Sequence, residues 1–177
     1  MEPARSGDVN RELAPRLASF SYVGLHRYFL TMCARERAVV FVNAEDVGGV
    51  TLQLLSIATT RHFAVIAYCF MPDHLHLVVE GTSEAANLRE FVRVFKQCSD
   101  FAWRRLQHER LWQRGYFDRV LRADEDTVDV VRYVLNNPVR AGLAWAPEEY
   151  PFLGSGKMSV ADLLESIRMN CGGSGRT

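Results

Sequence analysis

Hydrophobic residues fill Phe63 to Phe70, and after Met71-Pro72-Asp73 a second run, His74 to Glu80, alternates histidine with leucine. Both runs are short and rich in β-branched and aromatic residues, so each predicts a strand. Proline cannot donate to a ladder, which puts Pro72 in a tight connection and the two strands in one antiparallel hairpin. Upstream, Tyr22 to Cys33 is aromatic and apolar and predicts a first strand containing His26 and Arg27. Glu36 to Asn43 predicts a turn with a short apolar run. Asn43 can cap a helix to about Thr59, on which Val47, Val50, Leu54 and Ala58 recur at helical spacing.

Downstream, Ser83 is the expected cap of a helix from Glu84 to about His108, with Leu88, Phe91, Val92, Phe95, Phe101, Ala102 and Leu106 as its apolar positions. Trp112 to Leu121 predicts a short strand. Asp124, Glu125 and Asp126 open a helix with favourable charge at its positive end. That helix carries Val128, Val131, Tyr133 and Val134 and is expected to stop near Asn136, because Pro138 disfavours helix at Asn137. Gly142 suits a turn after a helix. Pro147 to Gly156 reads as irregular. Ser159 to Met169 predicts a short helix, capped by Ser159 with Asp162 three on.

The order strand, helix, strand, strand, helix, strand, helix predicts an α+β domain. Its first six elements match a ferredoxin-like βαββαβ core with an antiparallel sheet, followed by additional C-terminal helices. Residues 1–18 read as an N-terminal tail, 19–156 as the body of the domain, and 157–177 as a C-terminal helix and flexible tail. The 177 residues suffice for one domain with a real core. No stretch approaches a membrane span, and Met1 to Leu17 has no apolar region of a secretory signal, so a cytoplasmic location is expected. Cys33, Cys69, Cys98 and Cys171 form no CxxC pair, and the first three have apolar neighbours, which predicts reduced core thiols.

Net charge is zero, from 21 basic and 21 acidic residues, which argues against tight non-specific binding of nucleic acid. The charge is uneven, however. Arg89 to Arg122 holds nine basic residues, opposed only by Glu90, Asp100, Glu109 and Asp118. The planar fork of arginine suits phosphate, though the same run also fits a solvated helix face.

On a strand beginning at His74, side chains two apart share a face, so His74 and His76 point together while Leu75 and Leu77 point the other way. Two imidazoles held side by side can bind one divalent metal or hydrogen-bond a phosphate. Tyr133 lies late on its helix with Asn137 four residues on, within reach of the same face. A phenol is a poor nucleophile until something favours phenolate or polarises its target. The chain has no GxSxG, HExxH or glycine-rich phosphate loop.

Met71-Pro72-Asp73-His74-Leu75-His76-Leu77 resembles the histidine–hydrophobic–histidine motif of the HUH single-tyrosine transposases. Trp112 to Arg119 and Tyr133 to Leu143, with Phe95-Lys96 and Pro147-Glu148-Glu149-Tyr150-Pro151, resemble more closely the REP-associated tyrosine transposase branch. The similarity runs from about Tyr22 to Ser155. It implies a ferredoxin-like catalytic domain in which His74 and His76 ligate Mg²⁺ or Mn²⁺, with Asn137 as the third protein ligand. Tyr133 would then attack a backbone phosphate of single-stranded DNA, giving a 5′-phosphotyrosine link and a free 3′-OH. The implied partner is single-stranded or hairpin DNA, not a membrane, and the implied state is monomer or homodimer. Arg27, Lys96, Arg114 and Arg119 are candidates for phosphate contact; Trp103, Trp112 and Tyr116 are candidates for base stacking. A tryptophan such as Trp112 is more often a core anchor than a base platform, and Tyr116 is a rival nucleophile on chemistry alone. The alternative function is a catalytically inactive relative that binds structured single-stranded nucleic acid.

Overall fold

The strands form one antiparallel sheet in the order β4-β1-β3-β2-β5: β1 is Arg27–Cys33, β2 Phe63–Met71, β3 His74–Gly81, β4 Phe117–Leu121 and β5 Leu153–Gly154. The helices are α1 (Ala44–Thr60), α2 (Leu88–Gln107), α3 (Asp124–Arg140) and α4 (Val160–Cys171). This computed structural model describes residues 20–122 and 124–171; the expected N-terminal tail, 1–18, and the chain after 171 lie outside the described residues. The domain is α+β. Its β1-α1-β2-β3-α2-β4 segment has the ferredoxin-like order, and α3 and α4 are the additional C-terminal helices. Among the described residues no helix is long and apolar enough to cross a membrane.

The hairpin forms as its pattern predicts. Met71 pairs with His74, which leaves Pro72 and Asp73 as a two-residue connection. The histidine strand β3 is central, between β1 and β2. Leu75, Leu77 and Val79 face one way, into a core with Tyr28, Leu30, Met32 and Phe70 under α1 and α2. Val78 faces the other way, with Phe29, Ala67, Cys69 and Met71, under Val130, Val131, Val134 and Leu135 of α3 and Leu163, Leu164 and Ile167 of α4. A bulge between Val65 and Ala67 changes the phase of β2. Before it the odd-numbered Phe63 and Val65 face α1 and α2. After it the even-numbered Tyr68 and Phe70 do, and the slender Ala67 and Cys69 lie beneath α3.

On α1, Val47, Val50, Leu54 and Ala58 are the buried residues, and Asn43 Oδ1 accepts from the Asp46 backbone N–H at 2.8 Å, both as expected. On α2 the cap is Asn87, not Ser83: Asn87 Oδ1 accepts from Glu90 N–H, while Ser83 only closes a local turn with Ala85. The buried stripe runs Leu88, Phe91, Val92, Phe95, Ser99, Trp103. Phe101 and Leu106 fall on the opposite phase and are 66% and 71% exposed, contrary to expectation. Cys98 is likewise exposed and Cys33 half-buried, so of these three cysteines only Cys69 is a core thiol.

Helix α3 does not stop near Asn136 but continues through Pro138 to Arg140. Pro138 removes one backbone donor. The side chains of Asn136 and Asn137 reinforce the same turn, donating to the carbonyls of Arg132 and Tyr133 at 2.9 and 2.8 Å. The helix closes on Gly142, at φ +71°, with Gly142 N–H donating to Val139 O and Leu143 N–H to Pro138 O. The following chain is anchored by the buried Tyr150, whose hydroxyl donates to Phe70 O at 2.8 Å. Ser159 caps α4, accepting from Asp162 N–H, as its spacing predicts.

Candidate active site

His74 and His76 share the face of β3 that lies under α3. His76 has Thr31 of β1 opposite it on one side and Cys69 of β2 on the other. Each ring is held at Nδ1. His74 Nδ1–H donates to Asp73 Oδ1 at 2.5 Å, and Thr31 Oγ1 lies 3.0 Å from His76 Nδ1. The two Nε2 atoms then face each other across 3.0 Å. Two rings fixed in this way by their outer partners could hold one metal ion between them.

Asp73 is gripped in turn. Arg37 Nε donates to Asp73 Oδ2 at 2.9 Å, so one carboxylate oxygen serves His74 and the other Arg37. Arg37 comes from the segment after β1. Glu36 and Arg37 both have left-handed backbone there, φ 55° and 57°, a costly conformation for residues with a Cβ. Backbone bonds lace this segment to the hairpin connection: Ala34 N–H donates to Asp73 O, and Val40 and Phe41 N–H both donate to Pro72 O.

Burial holds both imidazoles below the ordinary histidine range, His76 well below it. At His74 the Asp73 hydrogen bond opposes that effect; at His76 the neighbouring His74 and Arg37 add to it. Both rings are therefore neutral near pH 7, the form that ligates metals. Two donors about 2.1 Å from one octahedral ion and at right angles stand about 3.0 Å apart, which matches the Nε2 separation of 3.0 Å. With no ion, the same separation suits one Nε2–H donating to the other ring. Among the described residues no group of three His, Cys, Asp or Glu is assembled to hold a metal. A third protein donor would thus have to be of another kind, such as an amide oxygen.

Tyr133 is brought to this pair by α3. Its ring centroid lies 5.8 Å from that of His76 and 6.0 Å from that of Phe29, edge-on to both. Asn137, half-buried one turn later, donates through Nδ2 to the Tyr133 carbonyl and so stays on the same side of the helix.

The other expected contacts are scattered. Tyr116 packs against the core on the α1/α2 side, the opposite face from the histidines. That placement separates it from the pair and removes it as a rival nucleophile. Trp112 is 6% exposed, packed against Phe41 and Phe95, and donates through Nε1 to Ser99 Oγ at 2.8 Å. It is a core anchor and offers no face to a base; Trp103, also buried, is another. Lys96 donates to the carbonyls of Gln113 and Gly115 at 2.7 and 2.6 Å, and burial brings its ammonium down to about 8. It fastens the loop before β4 rather than reaching outward. Arg27 pairs with Glu80 at 2.7 Å at the other end of β1. Arg119 is exposed on edge strand β4, opposite Phe29 and hence on the histidine face, and Arg114 is exposed on the preceding loop.

Sequence reasoning missed three residues of this site. Thr31 becomes visible only through strand register, and Arg37 only through an unusual backbone turn. Arg140 lies with its guanidinium carbon 5.2 Å from the centre of the Tyr133 ring. Its spacing of seven from Tyr133 was a readable signal, hidden by Pro138.

The chain is similar to several known proteins. A Haemophilus influenzae protein assigned as a REP-associated tyrosine transposase is 27% identical over 101 residues, 51% of this chain and 57% of the relative, so the matched segment spans little more than half of that relative's length. A second, uncharacterised H. influenzae protein is 23% identical over 165 residues, covering 74% of this chain and 90% of its own. Among solved structures, a REP-associated tyrosine transposase bound to a REP hairpin superposes with TM-score 0.65 at 20% identity, covering 76% of this chain and 79% of the other. A Deinococcus radiodurans protein described as a transposase gives TM-score 0.50 at 24% identity, covering 65% and 92%. These two likenesses speak to the fold. The family model of IS200-like transposases matches residues 22–137, the stretch that carries the hairpin, both histidines, Tyr133 and Asn137, and the chain belongs to that family.

Proposed function

We propose that this chain cuts and rejoins single-stranded DNA at hairpin-forming repeats, with Tyr133 as the nucleophile. The observation that carries the reading is the approach of the Tyr133 ring to His76, whose Nε2 faces that of His74 at 3.0 Å. His74, His76 and the amide oxygen of Asn137 would hold one divalent ion, and the resemblance to the HUH transposases makes that ion Mg²⁺ or Mn²⁺. When bound, the ion supplies positive charge to the phosphoryl oxygens of the scissile linkage.

The protein's own part is orientation. Thr31 and Asp73 fix the two imidazoles, and α3 fixes the phenol beside them. Tyr133 Oη attacks phosphorus, a new P–O bond forms, and the bond from phosphorus to the 3′ oxygen breaks. The phenol gives up its proton and the departing oxygen gains one, leaving a free 3′-OH and a 5′-phosphotyrosine. Attack by a 3′-OH reverses the step, so rejoining needs no nucleotide cofactor. Phenol and histidines meet within one chain, which supports a site complete in a single copy. The names of the relatives support REP-type hairpins as the DNA, and exposed Arg114 and Arg119 are suited to its phosphates.

The test is incubation with single-stranded hairpins taken from repeats near the gene, with Mn²⁺, on a denaturing gel. A protein band shifted by covalent DNA, lost with EDTA and in Tyr133→Phe, is the expected result. Reversible binding with no adduct across the panel would leave the binding module; cleavage with no adduct would mean attack by water.

A further inference from the structure

Helix α3 carries a charged group beside the Tyr133 ring. Because it continues through Pro138, Tyr133 and Arg140 stand seven residues, or two turns, apart on one face. The Arg140 guanidinium lies over the Tyr133 ring, 5.2 Å from its centre. Arg140 is exposed, and among the described residues no carboxylate pairs with it. Neighbouring Arg132, on the same helix, is by contrast tied to Asp129 at 2.6 Å. An arginine stacked on an aromatic face keeps its N–H edge free for a second partner. The same phenol ring is in contact with His76. A phosphate within reach of Tyr133 Oη therefore has Arg140 within a side chain's length.

From this arrangement we propose that Arg140 is a catalytic residue that binds the non-bridging oxygens of the scissile phosphate while Tyr133 attacks. The proposal rests on the strand-transfer reading above and adds to it a cationic partner supplied by the nucleophile's own helix. Its charge complements the negative charge that gathers on those oxygens as the fifth bond to phosphorus forms. Gly142 closes the helix just beyond, which fixes how far Arg140 can be carried.

The experiment measures the single-turnover rate of adduct formation by wild type, Arg140→Ala and Arg140→Lys on one hairpin, together with hairpin affinity in EDTA. Removing one such donor is expected to slow adduct formation about 100-fold, with affinity changed by less than about threefold and partial recovery in Arg140→Lys. A second substrate carries a methylphosphonate at the scissile position, where the charge that Arg140 would bind is gone. There the gap between wild type and Arg140→Ala should shrink to within about threefold. Wild-type rates in Arg140→Ala would overturn the proposal. So would a loss of rate matched by the loss of affinity, or a gap that persists on the neutral linkage. In each of those cases wild type still forms its adduct, whereas absence of any wild-type adduct sinks the strand-transfer reading and this inference with it.

Discussion

The two faces of the sheet are built from the same strands and differ in what each holds. The α1/α2 face is filled with large apolar side chains: Tyr28, Phe63, Phe70, Phe91 and Phe95 are all 4% exposed or less. The α3/α4 face has slimmer residues beneath its helix, Ala67, Cys69 and Val78, and the two histidines lie in the same layer. On β3 the change from one to the other takes a single residue: Leu75 and Leu77 belong to the first face, His74 and His76 to the second. One layer holds the fold while the other has room for chemistry, and alternation along a strand keeps the two apart. Mutations on the two faces should therefore separate stability from activity.

The sharpest break is Tyr133→Phe, which should lower adduct formation by about 10⁴-fold or more with little change in melting temperature, read on a denaturing gel beside a thermal scan. Leu77→Ala, on the opposite face, should do the reverse. It should cost about 2–5 kcal/mol of stability, measured by urea unfolding, while the folded fraction keeps its rate of adduct formation. If Leu77→Ala instead abolished chemistry in fully folded protein, the separation of the faces would be wrong.

Asp73→Asn is smaller. Loss of the carboxylate on His74 Nδ1 should weaken Mn²⁺ binding about 10–100-fold, seen as free Mn²⁺ in electron paramagnetic resonance. Arg37→Gln acts one step further out and should weaken it by only about threefold to tenfold. An effect of Arg37→Gln larger than that of Asp73→Asn would mean that Arg37 acts directly rather than through the carboxylate.

The last effect concerns pH. Burial depresses both histidines, so below an imidazole's ordinary value the unfolded chain takes up protons that the folded site refuses. Stability of the metal-free protein should therefore fall as pH drops below about 6.5, by at most about 1.4 kcal/mol per unit for each histidine. Urea midpoints at pH 7.5 and 5.5 should differ less in His74→Gln/His76→Gln than in wild type. Equal differences would show that the carboxylates alone carry the acid sensitivity.

Most of the fold was legible because its elements follow local rules. The stripe of α1, the Pro72 connection and the Asn43 and Ser159 caps all depend on neighbours within a few residues. Errors arose where two local signals competed. Ser83 and Asn87 are both good caps, and only the pairing of Val23 with Asn87 and the bond from Leu88 N–H to Tyr22 O mark the second as the true start. Pro138 signals a stop, yet a last turn can lose one donor when a closing glycine follows. At the site, the histidines and Tyr133 were readable from motif and spacing, and the structure brings them together. Trp112 drew two readings because an aromatic beside arginines looks alike in sequence whether it faces solvent or Ser99. Thr31 and Arg37 were beyond reach, since they meet the histidines through pairing and loop geometry rather than proximity along the chain.

The bulge in β2 gives the molecule an unusual tolerance. Inside a central strand, losing one amino acid normally turns every later side chain inside out. Here Val65 already faces Val79 and Ala67 already faces Val78, with Ile66 surplus to the ladder. Deleting Ile66 alone would stitch an uninterrupted ribbon and leave each aromatic and each small residue downstream on its present side.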